Sequence, residues 1–412
     1  MYTAGYRWDY KNGELKQTGV LSIDIEPKEA YVFLNDSKIE KKLPIYLPNL
    51  TPNSYKIRLT LAGYKTWEKD IEIASKKTTY IKNITLFKDS LPKNVDLPNI
   101  KNIDEIYFSA DGNYALIQKT TNNIYEIYFI NLINGKTELL TRNSSEIKPE
   151  ITWSPFADFF AIKSQDENSE IIYIYNGNNL NQFKTYSFPK INSFEWSRND
   201  SMPTIFLQSE NIIYLLSTSA QKTFVLSDAN IWHVDYFDNL WTYNPEQRIL
   251  SKSKEGKLIS SYSVNESINQ IIDANEYRLI TKIGNNILVM NFNDEQIYEK
   301  NNLPVNKIFY NWDTKEWLVW SEWELWSIYN DGSTALLNRT SEKINIVKPM
   351  DEHGLLLTAS ENKLIGFNPG YYVSHDLFAN GQIEKLSVNM NERKIFFLGE
   401  VASKRGLFEL EY

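Results

Sequence analysis

A hydrolytic or redox site needs a nucleophile, a general base or a set of metal ligands, and this chain is poor in all three. Among 412 residues there are only three histidines, His233, His353 and His375, and no cysteine. No two of the histidines have the spacing of a metal motif, and the lack of thiols excludes thiolate zinc sites and sulfur nucleophiles together. Trp232-His233 with Asp235 and Tyr236 can be read as part of a polar site, but a structural histidine on a strand is expected there. No Gly-x-Ser-x-Gly elbow, Gly-rich phosphate loop or metal-type acidic run accompanies it. The reading is therefore no catalytic residue, no cofactor and no metal.

Binding chemistry is better represented. Trp312, Trp317, Trp320, Trp323 and Trp326 crowd one stretch, and an exposed indole can stack on a sugar ring or anchor a protein partner. Three near-copies of one short hairpin occur: Gln208-Ser209-Glu210-Asn211-Ile212, Trp320-Ser321-Glu322-Trp323-Glu324 and Ala359-Ser360-Glu361-Asn362-Lys363. Trp320, Glu322, Trp323, Glu210 and Glu361 are accordingly the expected ligand-binding residues, with Trp320 and Trp323 flanking an exposed turn. Most of the five indoles are expected to wedge between sheets as core, and Trp323 is the one expected at the surface.

The elements that must position these residues are strands. Aromatic residues make up 14% of the chain, a load that favours β structure. The stretch from Ile151 to Lys163 reads as strand, turn and strand. Its pattern returns with starts near Asp104, Pro149, Ile191, Ile231, Ile268, Val305, Ile344 and Ile383, a period of roughly 40 residues that suits four-stranded propeller blades. Turns at Asp111-Gly112-Asn113, Phe156-Ala157-Asp158, Asn199-Asp200-Ser201 and Asp313-Thr314-Lys315 separate first strands from second. Asn134-Gly135, Asn176-Gly177, Glu255-Gly256 and Asp331-Gly332 suit hairpins between third and fourth. Units of this size cannot bury their apolar faces singly, so they are expected to stack in a ring.

The expected fold class is all-β: a small sandwich over residues 18–88 and a β-propeller over residues 104–412. Eight blades are expected, with seven as the alternative because the fourth unit, around Trp232 to Val264, is the least regular. Residues 1–17 read as an extended lead-in and 89–103 as a linker. The last unit has only three strands of its own, so residues between Lys93 and Ile100 are expected to supply its outer strand and remove an open edge.

Within the first domain, Pro27-Lys28-Glu29-Ala30, Leu43-Pro44, Leu50-Thr51-Pro52-Asn53-Ser54-Tyr55 and Gly63-Tyr64 follow in order. On these residues the segment from Gly19 to about Phe87 resembles a PEGA domain, a small surface-associated β module. Glu29 and Asn53 stand where that family's pattern has glycine. Phe108-Ser109-Ala110-Asp111-Gly112, Trp153-Ser154-Pro155 and Trp196-Ser197-Arg198 resemble the repeat of TolB-like and WD-type propellers. The resemblance implies a bacterial cell-surface protein in which Ala4-Gly5-Tyr6-Arg7 lies just after an N-terminal membrane-spanning helix that this sequence does not include.

Lys and Arg total 44 against 52 for Asp and Glu, a net charge of −8, and no basic tract invites nucleic acid. No apolar run approaches the ~18 residues of a spanning helix. The combined expectation is a non-enzymatic, extracytoplasmic protein of the cell surface or periplasm, tethered to the membrane only through that anchor. Its PEGA-like module presents a propeller that binds a protein or a cell-envelope glycan. A structural scaffold of the cell envelope and a propeller-based hydrolase are the alternatives.

Overall fold

A computed structural model describes the chain except for residues 1–5, 10–12, 98–99, 101, 145–146, 156–157, 167, 199–202, 294–295 and 306. The turn Asn199-Asp200-Ser201, the Phe156-Ala157 part of its predecessor, Ala4-Gly5 of the lead-in and Pro98 of the linker lie outside the described residues. Those described form strands and turns and no helix, so the architecture is all-β. Within the lead-in, Tyr6–Asp9 and Glu14–Gln17 are extended strands that pair as an antiparallel hairpin. Gly13, at its turn, takes a φ of 68°, a conformation that glycine adopts without steric cost.

The sandwich has two sheets. Gly19–Glu26 runs between Ile45–Leu50, antiparallel to it, and Thr78–Thr85, parallel to it. The second sheet orders Ser37–Lys38, Tyr31–Leu34, Asn53–Thr60 and Trp67–Ile73. Side chains on a strand alternate between faces, so Leu21, Ile23 and Ile25 all point inward and are buried. There they meet Val32, Ile57, Leu59 and Trp67 of the other sheet.

From Lys93 onward the described residues form eight four-stranded antiparallel sheets, numbered here 1 to 8 in the chain order of their innermost strands. Their innermost strands are Glu105–Phe108, Glu150–Trp153, Ser193–Trp196, Ile231–Val234, Gln270–Ala274, Lys307–Asn311, Ile346–Pro349 and Gln382–Asn389. Each sheet shares an apolar cluster with the next, as where Phe129 of sheet 1 meets Ile151 and Phe160 of sheet 2, or Phe206 of sheet 3 meets Trp232 of sheet 4. A last cluster joins Phe396, Leu398 and Leu407 of sheet 8 to Ile106, Ala115 and Ile117 of sheet 1. The sheets thus close on themselves as a propeller. Lys93–Asn94 pairs with Phe408 and Glu409 as the outer strand of sheet 8, ahead of sheet 1 in the chain. The last sheet thus gains the fourth strand that its own segment lacks, and the ring is stitched shut.

In sheet 1 the aromatic-Ser step has a local cause, which the Ser154 hydroxyl of sheet 2, without a hydrogen-bond partner among the described residues, does not repeat. Ser109, Ser154 and Ser197 are buried, and the Ser109 hydroxyl both donates to Asp111 at 2.6 Å and accepts from the Tyr114 amide at 2.9 Å, closing the first turn of its sheet. Sheet 4 departs from this because Asp235 takes the serine's place. Its carboxylate accepts from the Phe237 and Asn239 amides and from the Trp241 indole at 2.9 Å.

The sandwich sits against sheets 7 and 8. Tyr371, in the last turn of sheet 7, exchanges two hydrogen bonds of 3.0 Å with the Lys82 backbone and meets Trp67 edge-on, ring centroids 5.5 Å apart. Phe87 enters the core shared by sheets 7 and 8 and lies over Gly366. A β-carbon at Gly366 would come within 2.3 Å of the Phe87 ring, so only glycine fits. His375 donates from Nε2 to the Thr66 carbonyl at 2.9 Å, and the Arg393 guanidinium donates to the Leu86 carbonyl at 3.1 Å.

Candidate functional site

In a ring of antiparallel four-stranded sheets, the turns between first and second strands and between third and fourth open on one face. Turns between second and third strands open on the other, with the crossings from sheet to sheet. Tyr371 and Arg393 belong to turns of the first kind, so the sandwich covers part of that face. The Ser-Glu hairpins stand on the opposite, uncovered one.

The three hairpins share an architectural reason for their recurrence. The Glu322 carbonyl accepts from the Ile344 amide at 2.8 Å and the Glu361 carbonyl from the Ile383 amide at 2.8 Å, so each hairpin pins the chain as it crosses to the next sheet. The third copy does related work: the Glu210 carbonyl accepts from the Asn192 side chain at 3.1 Å. On the hairpin side each contact is made by the glutamate carbonyl, so the repeat marks scaffold and the glutamate side chains are left free of that task.

The five expected site residues separate accordingly. Trp320 is corrected: it is 6% exposed, packed with Leu325, Val347 and Leu356 between sheets 6 and 7, with its indole N–H directed at the Asn345 carbonyl. It lies on the strand face that meets the next sheet, and a large apolar ring gains most by staying there. Trp323, one residue beyond the strand register in the turn, is 43% exposed. The Ser321 hydroxyl holds that turn by accepting from the Trp323 and Glu324 amides at 3.2 and 3.1 Å. Glu322 is 3.2 Å from the Lys343 ammonium, which also lies 6.0 Å from the centre of the Trp323 ring. Glu361 lies in the neighbouring hairpin. Glu210 belongs to sheet 3 and is not brought to this group.

Between the hairpin of sheet 7 and the crossings on either side of it opens a cleft of about 1050 Å³, lined by Glu342, Lys343, Glu361, Lys363, Asp376 and Glu384 among others. The Lys363 ammonium bridges Glu342 at 2.9 Å and Asp376 at 3.1 Å, and these bonds, Glu342 first, raise its pKa. Glu384 is clasped through both oxygens by Arg405 at 2.8 Å, which holds its carboxyl below the usual range. The cleft therefore alternates donors and acceptors, with an indole near its rim through Lys343. This suits a hydroxyl-rich or polypeptide ligand better than an apolar one. Of these lining residues the sequence marks Glu361 and Lys363, as parts of the third hairpin copy, whereas Glu342, Lys343, Asp376 and Glu384 carry no repeat signal.

The remaining indoles have other roles. The Trp326 N–H donates to Glu324 at 3.1 Å. The Trp317 N–H donates to Asp273 at 2.9 Å inside a buried set of charges near the axis. Asp273 is paired with Arg198 and, at 2.7 Å, with Arg278. His233 is 2% exposed, and its Nδ1 lies 3.1 Å from Glu195. Burial alone raises the Asp273 carboxyl, but Arg198, Arg278, His233 and the Trp317 N–H together outweigh it and hold the pKa below 3.8. The set ties sheets 3, 4, 5 and 6 together.

Among the described residues no helix is long and apolar enough to cross a membrane, and no group of three or more His, Cys, Asp or Glu could hold a metal ion.

The PEGA domain family matches residues 18–88. No curated protein matches the chain. Among solved structures, dihydro-heme d1 dehydrogenase NirN shares 10% identity over 68% of this chain and 66% of that one, with a TM-score of 0.47. The uncharacterized protein lmo1340 from Listeria monocytogenes EGD-e shares 12% identity over 68% of this chain and 95% of that one, at 0.43. Virginiamycin B lyase from Staphylococcus aureus shares 13% over 78% of this chain and 99% of that one, at 0.36. Likenesses at such scores say nothing of activity.

Proposed function

We propose that this chain is a non-enzymatic, extracytoplasmic binding protein, in which the PEGA domain holds the propeller by one face and leaves the hairpin face free to take a protein or a cell-envelope glycan. The match to the PEGA domain over residues 18–88 supports the extracytoplasmic setting. The cleft of about 1050 Å³, whose wall includes Lys343, the residue that reaches to 6.0 Å from the Trp323 ring, is the observation that carries the binding reading. A half-exposed indole flanked by paired charges can stack on a sugar ring while carboxylates and lysines accept and donate to its hydroxyls. The non-enzymatic part is favoured by where the base-like side chain lies: His233 is walled in and committed to Glu195. A membrane tether ahead of the Tyr6–Gln17 hairpin belongs to the same proposal.

The test is a binding screen of the purified chain against cell-wall and envelope-protein fractions, repeated with Trp323→Ala. A bound fraction whose affinity falls about tenfold in the variant, roughly 1.4 kcal/mol, supports the reading. Full retention of affinity in the variant overturns the site. Failure of every fraction to bind turns the reading to a structural scaffold, and regular self-association at high concentration is then expected.

A further inference from the structure

The other mouth of the ring, on the sandwich side and away from the hairpin-face cleft, has a cavity of its own. It encloses about 420 Å³ over the axis, where turns of sheets 1, 2, 6 and 8 converge. Its walls are of two kinds. Phe309, Trp312, Pro349 and Met390 make one side apolar and aromatic, and Asp111, Asp158 and Asp313 supply three carboxylates. Among the described residues of the lining there is no Lys, Arg or His, and none of the three carboxylates has a cationic partner within ion-pair distance.

Their states agree with that isolation. Burial first, then the charge and hydrogen bond of neighbouring Asp111, raise the Asp158 carboxyl above its ordinary value. Burial, then Glu352 and Asp351, raise Asp313. Asp158 is held in place by the Asn178 amide at 3.0 Å, and that amide by the Tyr114 hydroxyl at 2.9 Å. The Trp312 ring is braced edge-on by Tyr310 at 4.5 Å. The nearby Lys348 does not line the cavity: its ammonium packs on the Phe309 ring at 4.0 Å, and burial pushes its pKa down to about 8, which leaves it mostly charged at neutral pH but unpaired with any of the three carboxylates.

From this juxtaposition we infer that the sandwich-side mouth binds a primary alkylammonium group, its methylene stem against Trp312 and Phe309 and its charge among Asp111, Asp158 and Asp313. An aromatic face and unpaired carboxylates together favour an organic cation over a bare metal ion or a neutral sugar. Asp313, Met390 and Asn391 also line an adjoining groove of about 740 Å³ between ring and sandwich. That groove gives a chain-like ligand a path outward, so the ammonium can come from a free polyamine or from a lysine side chain of a peptide.

The experiment is titration calorimetry of the full chain with 1,5-diaminopentane, with Nα-acetyl-lysine amide and with 1-pentanol as a neutral control, on wild type, Asp158→Asn/Asp313→Asn and Trp312→Ala. Both ammonium probes are expected to bind, with pentanol at least about tenfold weaker. Binding is expected to strengthen as pH rises through the carboxylate range, because the cation must displace protons held there. The double Asn variant should lose at least about tenfold with no fall in melting temperature, since ionised Asp158 and Asp313 are disfavoured in the folded chain and Asn removes that cost. Diamine binding alone assigns a polyamine site, and binding of both probes admits a peptide lysine. Equal binding of pentanol, unchanged affinity in the double variant, or no binding of either amine at millimolar concentration overturns the inference.

Discussion

Two regions of the ring hold dense sets of opposite charges and use them differently. Around Asp273, on sheet 5, two guanidiniums, an indole and a histidine converge in a largely buried site near the axis. Around Lys363, on sheet 7, two carboxylates meet one ammonium in an open cleft. Distances are alike in the two places, and the difference lies in how far water reaches the carboxylates: Asp273 is 13% exposed, Glu342 45% and Asp376 60%. A buried ion that loses its partner has nothing to replace it, whereas an exposed one regains water. The first set is therefore a clamp across sheets, and the second can exchange its partners for a ligand's groups.

The sharpest way to break this contrast is Asp273→Asn. It leaves Arg198 and Arg278 facing each other without a counter-charge, and the expected loss is about 3–5 kcal/mol, read as a lower midpoint in urea. The same carboxylate sets an acid limit. Its pKa is lower folded than unfolded, so the unfolded chain binds the extra proton, and the stability it supplies is complete above the ordinary 3.8 and lost as pH falls below it toward the folded value. Wild type should therefore lose more stability than Asp273→Asn on acidification below that point. Equal acid profiles would show that the clamp is not ionised.

A second variant asks whether the joint between domains behaves like the joints between sheets. Gly366→Ala places a methyl group against Phe87, and overpacking of this kind costs about 1–3 kcal/mol. Because Phe87 leads into the segment that closes sheet 8, the loss should appear both in the main unfolding transition and as faster proteolysis between the sandwich and sheet 1. A melting temperature unchanged from wild type would mean that Phe87 turns away freely and that the domains are only loosely joined.

How much of this was legible beforehand follows from what repeats. The all-β class was, because strand periods and turn dipeptides are local and recur. Leu21, Ile23 and Ile25 announce their inward face by alternation alone. Trp323 could be told from its four neighbours by its place in a turn, but Trp320 could not, since facing solvent or facing sheet 7 depends on the direction in which a strand end meets the next sheet. The Asp273 clamp gave no signal: Arg198, His233, Asp273 and Trp317 are spread over four units, and only ring closure brings them together. Lys343 was hidden because it lies at a crossing, where each unit differs, and Lys363, though inside a hairpin copy, because it stands where the other two copies carry Ile212 and Glu324.

The smallest expected effect completes the contrast. Lys363→Ala removes an ammonium that bridges two half-exposed carboxylates, and such pairs contribute under about 1 kcal/mol, less in salt. The urea midpoint should therefore move little, in contrast to Asp273→Asn. Yet the variant leaves Glu342 and Asp376 without their shared cation and turns one wall of the cleft more negative. Any ligand of the hairpin face that accepts hydrogen bonds there should bind more weakly, with a steeper salt dependence than wild type. Stability lost on the scale of the Asp273 variant would instead make the cleft pair a second structural clamp and remove it from the binding surface.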